Sequence, residues 1–196
     1  MPATTKGLKL VDILTTIVIS VVFGIIYKIW GPLYYAVKPF GFHLDQLIYG
    51  MWFIAASVAY LLIRKPGVAL LAEIAASSGE FIMGSEWGLE VLIYGVVQGL
   101  LAEAVFAAFR YKRFDAFVVS LGAVGATIGS LVMDFYKGYI DALAPWNLAL
   151  FLIARFLGAI AISGVFAASL VKALEKTGVV QMLRPASKDD YDALDR

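Results

Sequence analysis

The feature that most constrains this chain is an apolar run of membrane-crossing length that carries polar groups inside it. Residues 89–109 are mostly apolar, yet they include Gln98 and Glu103, in the stretch "VVQGLLAEAVF". About 20 apolar residues suffice for a helix to cross a bilayer. A carboxylate placed in such a helix costs about 3 kcal/mol on insertion scales, so it needs a partner or a task.

Five further runs have the same character: 11–30, 47–63, 67–84, 116–136 and 146–170. The breaks between them read "GPLYYAVKPFGFHLD", "RKPG", "GSEWG", "RYKRFD" and "KGYIDALAP", each with the Gly, Pro or charge that turns use. The pattern predicts an all-α integral membrane protein of six transmembrane helices in one bundle, residues 1–180. A polar tail follows at 181–196, "SKDDYDALDR" at its end. With 61% apolar and 16% charged residues and a mean hydropathy of +0.84, disorder is excluded. The short basic N-terminus leads into an apolar run too long for a signal peptide, and without a small-residue cleavage site, so it reads as a first span.

Orientation follows from the basic residues. One set of helix ends carries Lys6, Lys9, Arg64, Lys65, Arg110, Lys112, Arg113, Lys172, Lys176, Arg184, Lys188 and Arg196. The opposite loops carry only Lys38 and Lys137, twelve against two. Both termini are therefore expected in the cytoplasm, with the aromatic loops facing outward.

Several chemistries are absent. There is no cysteine and a single histidine, His43, so thiolate and histidine-based metal sites are disfavoured. No Walker A, G-x-S-x-G or H-E-x-x-H pattern occurs, which argues against an ATPase or a hydrolase. A net charge of +1 gives no reason to expect a nucleic-acid partner. No cofactor is implied, and binding or transport powered from elsewhere remains.

The polar residues in the spans fall into two layers by helix rise. The deeper holds Glu73, Gln98, Glu103 and Arg155, and reads as a buried network in which Arg155 pairs with a carboxylate such as Glu103. The outer holds Glu80 and Asp134, with Trp87, Tyr94, Tyr136, Tyr139, Trp146 and Asn147 close by. Four carboxylates against one arginine suit a cationic ligand, and aromatic walls add stacking and cation–π contacts. The tyrosines and Trp146 also fit a plain interfacial belt. In the first span Thr16, Ser20 and Gly24 recur every four residues as a small-residue stripe. Such a stripe permits close helix approach, within the bundle or to a separate membrane partner.

The blocks "YGMWFIAASVAYLLIRKPGVALLAEIAASSGEFIMG", "VVQGLLAEAVFAAFRY", "MDFYKGY" and "IARFLGA" carry a resemblance across residues 9–180. They resemble the YkoE family, substrate-capture (S) components of energy-coupling-factor (ECF) transporters linked to thiamin and its hydroxymethylpyrimidine moiety. The resemblance implies a six-helix protein of a prokaryotic plasma membrane with a pocket open to the outside. A transmembrane coupling protein and two cytoplasmic ATPases would supply energy, and the S component would topple to carry its pocket inward. It further implies that the helix 1 stripe meets the coupling subunit, although the familiar stripe is alanine-rich. Thiamin carries a fixed positive charge and an aminopyrimidine. Glu80 is the first choice for its carboxylate partner, with Gln98 and Asp134 adding polar contacts. Trp52, Tyr94, Trp87, Tyr136, Tyr139 and Trp146 are candidates for stacking. Three rivals stand beside this reading: an S component for another vitamin, a stand-alone proton-coupled transporter using Glu73 or Glu103, and a structural subunit without a ligand.

Overall fold

A computed structural model describes residues 7–178 and 180 of the 196. The tail expected at 181–196 lies outside the described residues. All the regular structure described is helical.

Helix α1, Leu10–Val37, begins where Asp12 accepts the Lys9 N–H at 2.7 Å and ion-pairs with Lys65. It passes through Pro32 rather than stopping there, and runs two turns beyond the expected end. The second pass is broken. A four-residue helix α2, Leu44–Leu47, gives way to a 3-10 stretch, Tyr49–Phe53, and only then to α3, Ile54–Ile63. Every residue of α3 from Ile54 to Leu62 is buried, so this helix is the axis of the bundle. Helix α4, Val68–Ile82, and α5, Glu90–Ala108, follow. Helix α6, Ala116–Tyr136, starts at Asp115, whose side chain accepts the Val118 N–H at 3.1 Å. Helix α7, Pro145–Ala159, has proline in its first turn, where no amide donor is needed. It continues through a π-helical stretch, Ile160–Phe166, into α8, Ala167–Lys176.

Among the described residues, five helical segments are long and apolar enough to cross a membrane. The sixth expected span, 67–84, is α4, which at 15 residues is about 22 Å long against a hydrocarbon core of about 30 Å.

The principal packing pairs are α5 with α6, α1 with α4, and α4 with α5. Small residues set their separation. A Cβ on Gly24 would sit 2.9 Å from the Ala76 carbonyl oxygen and 3.1 Å from the Gly79 Cα, both on α4. Thr16, Ser20 and Gly24 are all buried. A partner-helix contact was expected at these residues; in the structure Gly24 faces α4 of the same chain, and Thr16 and Ser20 are fully buried within the chain. The opposite face of α1, including Val11, Val18, Val22 and Ile29, is exposed and apolar.

Candidate functional site

Two carboxylates of the deeper layer have a shared task. Glu103, on α5, accepts the backbone N–H groups of Gly67 at 2.6 Å, Ala69 at 3.0 Å and Leu70 at 3.3 Å. These are amide donors at the start of α4, which no intrahelical carbonyl can satisfy. Glu73, on α4, is fully buried and accepts the Ala56 N–H at 3.1 Å. It also accepts the Tyr27 hydroxyl at 3.0 Å, and that hydroxyl in turn accepts the Ala55 N–H at 3.0 Å. Ala55 and Ala56 open α3, just after the break in the second pass. Each carboxylate therefore caps the N-terminus of a neighbouring helix. Both supply acceptor oxygens to amides that a helix N-terminus leaves without an intrahelical partner. In a water-poor interior, such caps replace the solvent that would otherwise satisfy those amides.

Arg155 pairs elsewhere. The expected Glu103 partner is replaced by Asp134, because Glu103 is held at the far end of α5 by the α4 amides. Arg155 also donates to Gln46 Oε1 at 2.8 Å and Ser130 Oγ at 3.2 Å, and its guanidinium lies 3.8 Å from the centre of the Tyr49 ring. Asp134 accepts the Tyr94 hydroxyl at 2.7 Å.

This network lies along a cavity of about 590 Å³ formed at the ends of α1, α5, α6 and α7 together with the broken second pass. That volume lies in the range of small-molecule sites. Its walls are aromatic. Tyr34 meets Trp52 edge-on at 5.3 Å, Trp52 meets Trp87 at 5.2 Å, and Trp87 stacks on Tyr35 at 5.7 Å. Trp87 reaches this position from a loop flanked by Gly84 and Gly88, both at positive φ (83° and 58°), which glycine adopts readily.

The candidate binding residues divide. Trp52, Trp87, Tyr94, Gln98, Asp134 and Tyr139 line the cavity, as does Arg155. Tyr136 and Trp146 do not, and at 82% and 69% exposed they fit an interfacial belt. Asn147 stands one residue back, with its Oδ1 2.6 Å from Nε2 of His43, which lines the cavity. Glu80 lies behind the wall. It accepts the Ser85 hydroxyl at 3.1 Å, and its second oxygen is buried without a hydrogen-bond partner beside Trp52, whose indole N–H is likewise unpartnered. Glu73 and Glu103 are outside the wall.

Sequence reading missed Tyr34, Asp45, Gln46 and Tyr49. It counted 44–53 as a loop and an unbroken span. The available signal was Gly50 within an apolar run that follows two polar residues. A Cβ at Gly50 would meet the Ala159 Cα at 2.8 Å, so the 3-10 backbone there is pressed against α7. Irregular backbone at membrane depth is tolerated where it is buried in protein or lines a cavity, and this segment does both.

No group of three or more His, Cys, Asp or Glu among the described residues could hold a metal ion. Residues 11–129 match the family described as ABC-type cobalt transport system, permease component. A Bacillus subtilis (strain 168) protein, named as a candidate HMP/thiamine permease protein YkoE, is 34% identical over 176 residues, covering 89% of this chain and 88% of that one. A crystal structure described as that of an S-component of an ECF transporter superposes with a TM-score of 0.84 at 34% identity, covering 89% of each chain. These likenesses extend over most of the chain, and the chain belongs to the YkoE family of ECF-transporter S components, membrane proteins of the transport class.

Proposed function

We propose that this protein captures thiamin, or its hydroxymethylpyrimidine moiety, for an ECF-type importer of a prokaryotic plasma membrane. The observation that carries the reading is the cavity itself, walled by Tyr34, Tyr35, Tyr49, Trp52 and Trp87 and edged by fixed hydrogen-bonding groups. Flat rings of this kind stack on an aminopyrimidine and face a thiazolium cation favourably. Tyr94, Gln98, Asp134 and Tyr139 contribute polar edges. Glu80 supports the site through Ser85.

In the membrane the reading takes α4 as a sixth crossing, short because Glu103 satisfies its inner end within the protein. Six crossings put both termini in the cytoplasm with residues 181–196 as a cytoplasmic tail. The helix ends rich in Lys and Arg, at Arg64, Lys65 and Arg110–Arg113, then face inward, and the cavity opens outward. Residues 1–180 form the capture domain. Energy comes from a transmembrane coupling protein and two ATPases, and toppling carries the cavity inward.

The test is uptake of thiamin into proteoliposomes. With the coupling protein, both ATPases and internal ATP, accumulation is expected. The chain alone is expected to give none under an imposed pH gradient. Gradient-driven uptake by the chain alone would overturn the reading in favour of a proton-coupled transporter.

A further inference from the structure

Among the charges lining the cavity, all but one have a fixed partner or face solvent. Arg155 and Asp134 neutralise each other. Glu90 is paired with Lys137 at 2.6 Å. Lys38 is exposed at the mouth, its ammonium 6.0 Å from the centre of the Tyr35 ring. Asp45 is the exception. It is 95% buried, being 5% exposed, and no Lys, Arg or His lies within ion-pairing distance of it among the described residues.

Its surroundings hold it in that state. Asp45 sits in α2, which begins directly after His43, whose backbone is left-handed (φ 54°). The Gln46 side chain is fixed from both sides. Its Oε1 accepts from Arg155, which leaves Nε2 to donate to the Tyr34 hydroxyl at 2.7 Å and to Asp45 Oδ2 at 2.6 Å. Among the described residues the Gln46 amide is thereby the only side-chain donor to this carboxylate. Burying a carboxylate without a counter-charge is costly, and a cation arriving in the cavity relieves that cost.

We infer that Asp45 is the counter-charge for the cationic ring of the ligand and sets the preference for thiamin over the uncharged hydroxymethylpyrimidine. This rests on the vitamin-capture reading above and assigns its charge recognition to a residue of the broken helix. Gln46 acts as a positioning residue that holds the carboxylate toward the cavity, while the aromatic walls bind the rings of either ligand.

The experiment is calorimetric titration of detergent-purified protein with thiamin and with hydroxymethylpyrimidine, for the unsubstituted chain and Asp45→Asn. Removing one partner of a buried charge pair costs 2 kcal/mol or more, which is about 30-fold in affinity. The ratio of thiamin to hydroxymethylpyrimidine affinity is expected to fall by about 30-fold or more in Asp45→Asn. A ratio that does not change overturns the assignment, including the case where both ligands weaken together. A second measurement needs no substitution: a thiamin analogue with a neutral thiophene in place of the thiazolium should bind the unsubstituted chain about 30-fold more weakly than thiamin. Equal binding overturns the assignment alone. Failure of the folded, unsubstituted chain to bind thiamin at all overturns the capture reading beneath it.

Discussion

At Glu103 a single side chain carries three backbone amides of another helix. Truncating it to Ala leaves those donors bare in the protein interior, at about 3 kcal/mol. Glu103→Ala is therefore expected to lower the thermal midpoint strongly. Thiamin affinity per folded molecule should change little, because Glu103 lies outside the cavity wall. Melting curves paired with binding titrations check this, and an unchanged midpoint with lost binding would contradict it. Glu73→Gln keeps a carbonyl oxygen for the Ala56 amide, and its NH2 takes the place of the oxygen that accepts from Tyr27 and can donate to that hydroxyl instead. It is expected to be milder than Glu73→Ala in the same melts. The presence of buried acids was legible from their depth in apolar runs. Their partners were not, because a backbone amide leaves no mark in a sequence, and the one visible cation, Arg155, invited the wrong pairing.

Elements with uniform composition were the easiest to place. Helix α6 starts and ends where its apolar run does, bounded by the Asp115 cap and Lys137. The second pass defeated the same reasoning, since hydropathy measures apolar content and is blind to whether the backbone stays helical. The small-residue stripe of α1 was visible as spacing, but spacing alone does not say which helix it meets. Its contact with α4 has a direct consequence. Gly24→Leu would drive a side chain into the Ala76 carbonyl and separate the helices, destabilising the fold by about 3 kcal/mol or preventing folding. Thermal melts of this variant against Val22→Leu, on the exposed face, read the difference. Asp115 caps α6, and its Ala variant should cost about 1 kcal/mol. Partial burial raises the Asp115 pKa, but the Val118 amide and Arg113 outweigh it and hold the carboxyl below its usual value. A group lowered in the folded state stabilises above its unfolded pKa and loses that contribution as pH falls. Asp115→Ala should therefore match the parent most closely in strong acid and fall behind it toward neutral pH, as melts across an acid series would show.

For the whole molecule, the charge asymmetry and the cavity fall at opposite ends of the bundle. The chain has no cysteine, so single cysteines report sidedness without background. A cysteine at Lys112 is expected to react with a membrane-impermeant maleimide only after cells are opened, and one at Tyr136 in intact cells. The reverse pattern would invert the proposed topology. The central claim is capture of thiamin in the aromatic cavity, and intrinsic fluorescence tests it most directly. Of four tryptophans, Trp52 and Trp87 line the cavity. Titrating the purified, folded chain with thiamin should give saturable quenching that disappears in the Trp52→Phe, Trp87→Phe double variant while Trp30 and Trp146 still emit. No saturable change in the folded parent chain, or quenching that survives in the double variant, would contradict it.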